Sequence, residues 1–177
     1  MEYEEVNMRL FLAIQFDETM VRALTEFQEK LRAFGVRGRF PPPENLHLTL
    51  AFIGEYAAPE AVMDAASSVT FRPVWLRLDG VGSFGNLYWA GLEKNEALVS
   101  YVKKLRGALA ARSIPYDRKR FSPHITLVRN AAFQGESQWP QIDPPKGETE
   151  AKGVSLMRSD RGKHGMIYTE IGWIGRE

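Results

Sequence analysis

Two histidines stand in the same short motif, whose residue types suit acid–base chemistry. His47 and His124 are each followed by an apolar residue, a threonine and a leucine. The chain has three histidines in 177 residues, so this motif contains two of the three. Alternation of polar and apolar residues predicts a strand, in which each histidine shares a face with its threonine, Thr49 or Thr126. The apolar residues of both strands then face a core, and the histidine faces point to another role.

A histidine can donate or accept a proton near neutral pH, because its unperturbed pKa is about 6.5. An in-line displacement at phosphorus needs a base beside the nucleophile and an acid beside the leaving oxygen. Two histidines on opposite walls of a cleft provide that arrangement, and the threonine hydroxyls can donate to non-bridging phosphate oxygens. The motifs by themselves do not decide whether His47 or His124 is the donor.

A zinc site is the main alternative interpretation of the two histidines. The chain has no cysteine and lacks the close histidine spacing of common zinc sites, so an acidic third ligand would be needed. The sequence also lacks the glycine-rich phosphate-binding motifs and the nucleophilic serine motif of other enzyme classes. We therefore expect a site without a metal.

Composition indicates an ordinary soluble globular protein, with 44% hydrophobic and 25% charged residues. The net charge of +1 neither favours nor excludes a nucleic acid partner, so any basic surface must be local. The acidic N-terminus lacks the basic and apolar parts of a signal peptide, and no apolar run is long enough to span a membrane. Together with the absence of cysteine, these features lead us to expect a cytoplasmic protein without membrane contact.

The pattern of apolar residues predicts alternating strands and helices. The apolar run over 9–16 predicts a strand, and Asp17 is a suitable N-cap for a helix that ends near Gly35. The first motif strand is expected over 46–53 and ends at Gly54. Further along, the same criteria predict a helix over 59–68, strands over 74–81 and 87–92, a helix from the cap Asn95 to about 112, a long loop over 131–147, and a closing hairpin of 154–157 with 166–173.

The two motifs end repeat units of similar length. Phe11 and Tyr88 lie the same number of residues before their respective histidines, and each unit reads as strand, helix and motif strand. We predict an α+β fold of two similar lobes, with antiparallel sheets lining a central cleft and helices on the outer faces. The lobes are expected at about 8–70 and 73–177, within one domain over 1–177.

With these segments in view, the chain resembles the 2H phosphoesterases. Within them it is similar to the RNA 2′,3′-cyclic phosphodiesterases, also called the LigT-like or 2′-5′ RNA ligase family. Residues Pro43–Gly54 resemble the family's first motif, Phe121–Arg129 its second, and Arg9–Ile14 its opening strand. The resemblance implies a reaction without metal or cofactor, with His47 as proton donor and His124 as proton acceptor.

The activity implied by the resemblance is hydrolysis of RNA 2′,3′-cyclic phosphodiester ends to 2′-phosphomonoesters. The substrates would be RNA ends, including those of tRNA fragments, or small cyclic nucleotides, and we expect a monomer. Two alternatives stay open. One is the reverse reaction, which ligates RNA through a 2′-5′ linkage, and the other is a non-catalytic RNA-binding module whose histidines only contact phosphate.

Thr49, Thr126 and Arg129 are the candidates for phosphate binding. Arg129 lies five residues after His124, so a regular strand would turn it away from the histidine face. It reaches a phosphate only if the strand ends or bulges near Val128.

Other aromatic and basic residues are weaker candidates. Phe11 and Tyr88 could face the cleft and stack on a base, or they could pack in the core. His164 is expected at the tip of the closing hairpin, as a surface residue or an RNA contact. The basic run before the second motif could contact RNA phosphates or form a solvated loop: Arg118, Lys119 and Arg120.

Overall fold

The structure is a computed structural model that describes residues 6–133 and 141–175. Within these ranges the chain forms nine strands and three α-helices, and a short 3₁₀ turn over Pro43–Asn45 precedes the first motif strand. In chain order the elements are β1 Met8–Gln15, α1 Glu18–Ala33, β2 Val36–Arg39, β3 His47–Tyr56, α2 Pro59–Ser67, β4 Val74–Phe84, β5 Leu87–Leu92, α3 Glu96–Ala111, β6 His124–Phe133, β7 Glu148–Ala151, β8 Gly153–Gly162 and β9 Gly165–Gly175.

The strands of the described ranges form two antiparallel sheets, so the predicted α+β class is confirmed. The first sheet has the order β3-β1-β8-β9, and the second has the order β2-β6-β5-β4-β7. Each motif strand, β3 or β6, is hydrogen-bonded to the strand that opens its own repeat unit, β1 or β5. Each sheet also contains strands from the other half of the chain. β2 belongs to the second sheet, and β8 and β9 belong to the first. The lobes expected at about 8–70 and 73–177 therefore do not coincide with the two sheets.

The helices are exchanged between the sheets. α1 follows β1 of the first sheet, but Leu24 and its apolar neighbours pack with Ile125 of the second sheet. α3 follows β5 of the second sheet, and Leu105 packs with Leu48 of the first. Burial of each such side chain stabilises the fold by about 1.5–3 kcal/mol. Each core thus contains a helix from the other repeat unit, which binds the two sheets together.

Both long helices begin at the residues that the sequence indicates. The Asp17 carboxylate accepts from the Met20 N–H at 2.9 Å, and the Asn95 side-chain oxygen accepts from the Leu98 N–H at 3.0 Å. Such caps satisfy backbone donors that have no partner inside the helix. Gly35 follows α1 with a positive φ of 95°, as expected for a glycine stop. α1 and α3 are each 16 residues long, so the two repeat units contain matching helices.

Several strand boundaries differ from the prediction. Gly54 does not end β3, because its positive φ of 86° lets the chain continue in the sheet to Tyr56. β2 and β7 were not expected, since four residues are too few for an alternation signal. β6 runs to Phe133, within the range expected as a loop, and residues 134–140 of that loop lie outside the described residues.

Among the helices of the described ranges, none is both long and apolar enough to cross a membrane.

Candidate active site

His47 is fixed by the turn that precedes its strand. Its Nδ1–H donates to the Asn45 carbonyl at 2.6 Å. Asn45 is 7% exposed, and its side-chain amide donates to the Met166 carbonyl at the start of β9, at 2.8 Å. Because a carbonyl can only accept, this contact places a proton on Nδ1 and leaves Nε2 as the nitrogen that can gain or lose one.

His124 has the same arrangement on the other motif strand. Its Nδ1–H donates to the Ser122 carbonyl at 2.6 Å, two residues earlier in the chain. Pro123 between them keeps the backbone extended. The two motifs therefore share more than their sequence, because both histidines use Nδ1 to orient the ring and leave Nε2 for another partner.

Arg129 and His124 lie close enough to His47 to act on it electrostatically. Burial lowers the pKa of His47 below its ordinary value of 6.5, and the hydrogen bond to Asn45 opposes this in part. The positive charges of Arg129 and His124 lower the pKa of His47 further. The Thr49 hydroxyl lies 2.9 Å from Nε2 of His47 and donates to it while the ring is neutral. The structure thus brings together both histidines, Thr49 and Arg129.

Arg129 is directed to the histidine face by a bulge in β6. The pairing of β5 with β6 passes from Thr126 directly to Val128, so Leu127 is the extra residue. Leu127 and Val128 are both fully buried, and the face therefore changes between them. From the sequence, Arg129 could reach a phosphate only if β6 ended or bulged near Val128, and the structure contains this bulge.

The first motif strand has a bulge at the matching position. The pairing of β1 with β3 passes from Thr49 to Ala51, and Leu50 and Ala51 are both fully buried. The residue after this bulge is Phe52, which packs with Phe11 on the histidine face. The two motif strands thus share the histidine, the threonine and the bulge.

Aromatic rings surround His47. The Phe11 ring lies 5.0 Å from the His47 ring between centroids, and Tyr168 of β9 meets both rings edge-on, at 5.0 Å from Phe11 and 5.4 Å from His47. Phe11 is 4% exposed and so lies beneath the histidine. These contacts restrict the orientation of the imidazole ring.

Tyr88 does not share this face. It is 4% exposed and stacks on Phe27 of α1 at 6.4 Å between centroids, within the second core. Trp89 lies opposite Thr126 instead, and Phe84 lies between Trp89 and His124, with ring distances of 5.2 Å to each. The repeat alignment placed Tyr88 like Phe11, but the β5 register differs by one residue, which exchanges the two faces of the strand.

The remaining basic candidates are exposed. Arg118, Lys119 and Arg120 lie in the segment before β6, and the backbone N–H of the neighbouring Asp117 donates to the Phe52 carbonyl at 2.8 Å. This segment therefore runs along the edge of β3. His164 is exposed in the two-residue turn between β8 and β9, as expected for a hairpin tip.

Sequence reasoning missed the residues that orient the site. Asn45, Tyr168 and Trp89 contact or adjoin the two four-residue segments of histidine, apolar residue, threonine and leucine without belonging to them. A further polar cluster on the same face joins Gln15, which lies opposite His47, to Ser155 and Glu170. Asn45 could have been found, since a polar residue before a strand often supports a turn. The others come from distant parts of the chain. Within the described residues, no group of three or more His, Cys, Asp or Glu side chains could hold a metal ion.

The chain is similar to known proteins over most of its length. A family model described as LigT like Phosphoesterase matches the chain in two segments, 14–89 and 91–168, each of which contains one histidine motif. The RNA 2′,3′-cyclic phosphodiesterase of Thermus thermophilus is 36% identical over 184 residues, covering 93% of this chain and 88% of the relative. That of Methanocaldococcus jannaschii is 29% identical, covering 93% of this chain and 98% of the relative.

Solved structures show the same architecture. E. coli LigT complexed with 3′-AMP superposes on this chain with a TM-score of 0.83 at 26% identity, covering 96% of this chain and 98% of LigT. The fold is therefore shared over nearly the whole length.

Proposed function

Because the chain belongs to the LigT-like phosphoesterase family, we propose that it hydrolyses RNA 2′,3′-cyclic phosphate ends to 2′-phosphates. The observation that supports this most is the matched pair of histidines. Each donates from Nδ1 to a carbonyl two residues earlier, and His124 acts electrostatically on His47. Two Nε2 atoms that lie near one another and are not used to orient the rings fit an in-line displacement at phosphorus.

The proposed step needs one water and moves two protons. Nε2 of His124 takes a proton from water, whose oxygen bonds to phosphorus. The bond from phosphorus to the ribose 3′ oxygen breaks, and Nε2–H of His47 gives its proton to that oxygen. The products are a 2′-phosphomonoester and a free 3′ hydroxyl, and the two histidines exchange protonation states until they equilibrate with solvent. No metal takes part in this scheme.

The phosphate charge is neutralised by groups already on the catalytic face. The Arg129 guanidinium supplies a positive charge, and the hydroxyls of Thr49 and Thr126 donate to non-bridging oxygens. The contact between Thr49 and His47 supports this role. When Nε2 of His47 is protonated it can no longer accept from the Thr49 hydroxyl, which frees the hydroxyl proton for the phosphate and leaves Nε2–H for the leaving oxygen. Arg118 and Arg120 are exposed near the second motif and would contact a longer RNA.

The test is hydrolysis of nucleoside 2′,3′-cyclic phosphates and of a dinucleotide with a cyclic phosphate end, by protein treated exhaustively with chelator. We expect turnover to persist after chelation and phosphorus NMR to show a 2′-phosphate product. A predominantly 3′-phosphate product would reverse the roles of His47 and His124. Activity that is lost on chelation and returns with one divalent ion would contradict the two-histidine mechanism.

A further inference from the structure

Two polar side chains on the long helices bind carbonyls of the opposite motif strand. Gln28 of α1 is 3% exposed, and its amide Nε2 donates to the carbonyls of Leu127 at 3.0 Å and Pro41 at 3.1 Å. Leu127 belongs to β6, the motif strand of the other repeat unit. Gln28 thus joins α1 both to the connector of its own unit and to the active-site strand of the other.

Arg106 of α3 makes the matching contacts in the other direction. Its Nε and Nη2 donate to the Leu50 carbonyl of β3 at 3.1 and 3.0 Å, and its Nη1 donates to the Lys119 carbonyl at 2.7 Å. Gln28 and Arg106 are each the eleventh residue of a 16-residue helix. Leu50 and Leu127 occupy the same motif position, after the threonine. The contacts are therefore related by the internal repeat.

Both contacted carbonyls belong to the extra residue of a bulge, Leu50 in β3 and Leu127 in β6. A bulge removes its extra residue from the regular ladder, and a buried carbonyl without a donor costs free energy. β2 ends with Arg39 opposite Arg129, and the same register would continue with Pro41 opposite Leu127. Proline has no N–H to donate, so the donor must come from a side chain, and Gln28 supplies it.

The bulges decide which side chain reaches the catalytic face. The β6 bulge directs Arg129 toward His47, and the β3 bulge places Phe52 beside Phe11, on which the His47 ring packs. We propose that Gln28 and Arg106 are reciprocal positioning residues, each holding the bulge in the motif strand of the other repeat unit. Gln28 fixes Arg129, and Arg106 fixes Phe52. The kinetic tests of this inference rest on the proposed function, whereas the titration test does not.

The main test replaces Gln28 with methionine, which keeps the length and removes the donor. We expect Gln28→Met to lower kcat/KM by on the order of 10- to 100-fold, since small displacements of reacting groups have effects of that size. In the background of Arg129→Gln the same change should cost less than about twofold, because Arg129 is the group that Gln28 positions. Met20→Ala, about two helical turns away on α1, is the control and should cost the same factor in both backgrounds.

A titration separates failure of this inference from failure of the proposed function. Arg129 and His124 are the charged groups that act on His47. NMR should show His47 titrating at higher pH in Gln28→Met than in the parent, as in Arg129→Gln, and unchanged in Met20→Ala. This readout needs no substrate. A Gln28→Met protein that is less stable but keeps the parent His47 titration would overturn the inference.

Arg106 provides a second variant if Gln28→Met does not fold. Arg106→Lys keeps the charge at a half-buried site but cannot make both bonds to the Leu50 carbonyl. Its effect on kcat/KM should depend on whether Phe52 is present or replaced by leucine, and should be independent of Arg129→Gln. Independence from both substitutions would show that Arg106 only stabilises the fold.

Discussion

At the scale of single residues, the site depends on two hydrogen bonds that fix the imidazole rings. Both bonds go to backbone carbonyls, so they select the tautomer without adding a second titrating group. The two histidines differ in their surroundings. His47 lies against Phe11 and Tyr168, and burial with the charges of Arg129 and His124 disfavours its protonated form. The proposed donor role of His47 therefore needs the negative charge of a bound phosphate to hold the proton on the ring.

We therefore predict that His47 of the free protein titrates below pH 6.5. The folded pKa is lowered, so in the pH range between that pKa and 6.5 the folded protein binds fewer protons here than the unfolded chain, and stability falls as the pH falls through this range. Arg129→Gln should raise the pKa of His47, because it removes one of the two positive charges. NMR titration of the histidine signals in both proteins measures this. Equal titration in the two would mean that Arg129 does not face His47.

The pair of histidines, the two threonines and the strand around them could be predicted from the sequence, because a strand fixes which residues share a face. The environment of His47 could not. Tyr168 reaches the histidine through pairing between distant strands, which leaves no periodic signal, and Asn45 has only the weak signal of a polar residue before a strand.

At the scale of elements, one residue of register decides which aromatic side chain of β5 meets the site. The sequence repeat aligned Tyr88 with Phe11, and the structure places Trp89 on the histidine face instead. The connecting segments of the two units differ slightly in length. Corresponding helices and strands are therefore not separated by one constant number of residues. A slip of one residue exchanges the faces of a strand, and sequence spacing cannot resolve it.

This register predicts different effects for two neighbouring substitutions, one on the reaction rate and the other on stability. Trp89→Phe should lower kcat/KM for a cyclic nucleotide, because Trp89 lies beside Thr126 and contacts Phe84, the ring next to His124. Tyr88→Phe should change kcat/KM by less than about twofold and act mainly on stability, since Tyr88 is packed in the core. Steady-state kinetics and thermal unfolding of both variants measure this. A larger rate effect from Tyr88→Phe would contradict the observed register.

At the scale of the whole molecule, two repeat units exchange their helices. α1 packs on the sheet of the second motif and α3 on the sheet of the first, so neither core can form from one unit. The duplication, the α+β class and the outer helices could be predicted, because they follow from local patterns and spacing. The exchange could not, since the apolar face of α1 would fit either sheet and only the complete topology selects one. The exchange also places Gln28 and Arg106 against the opposite motif strands.

The most direct test of the account is the kinetics of His47→Ala, His124→Ala and the double variant on a nucleoside 2′,3′-cyclic phosphate, with chelator present. Each single variant should lose on the order of 10²- to 10⁴-fold in kcat, because one displacement needs both the acid and the base. The double variant should lose little more than the worse single variant, since residues that act as a unit have non-additive effects. Near-normal turnover by either single variant, or losses that multiply in the double variant, would contradict the two-histidine mechanism.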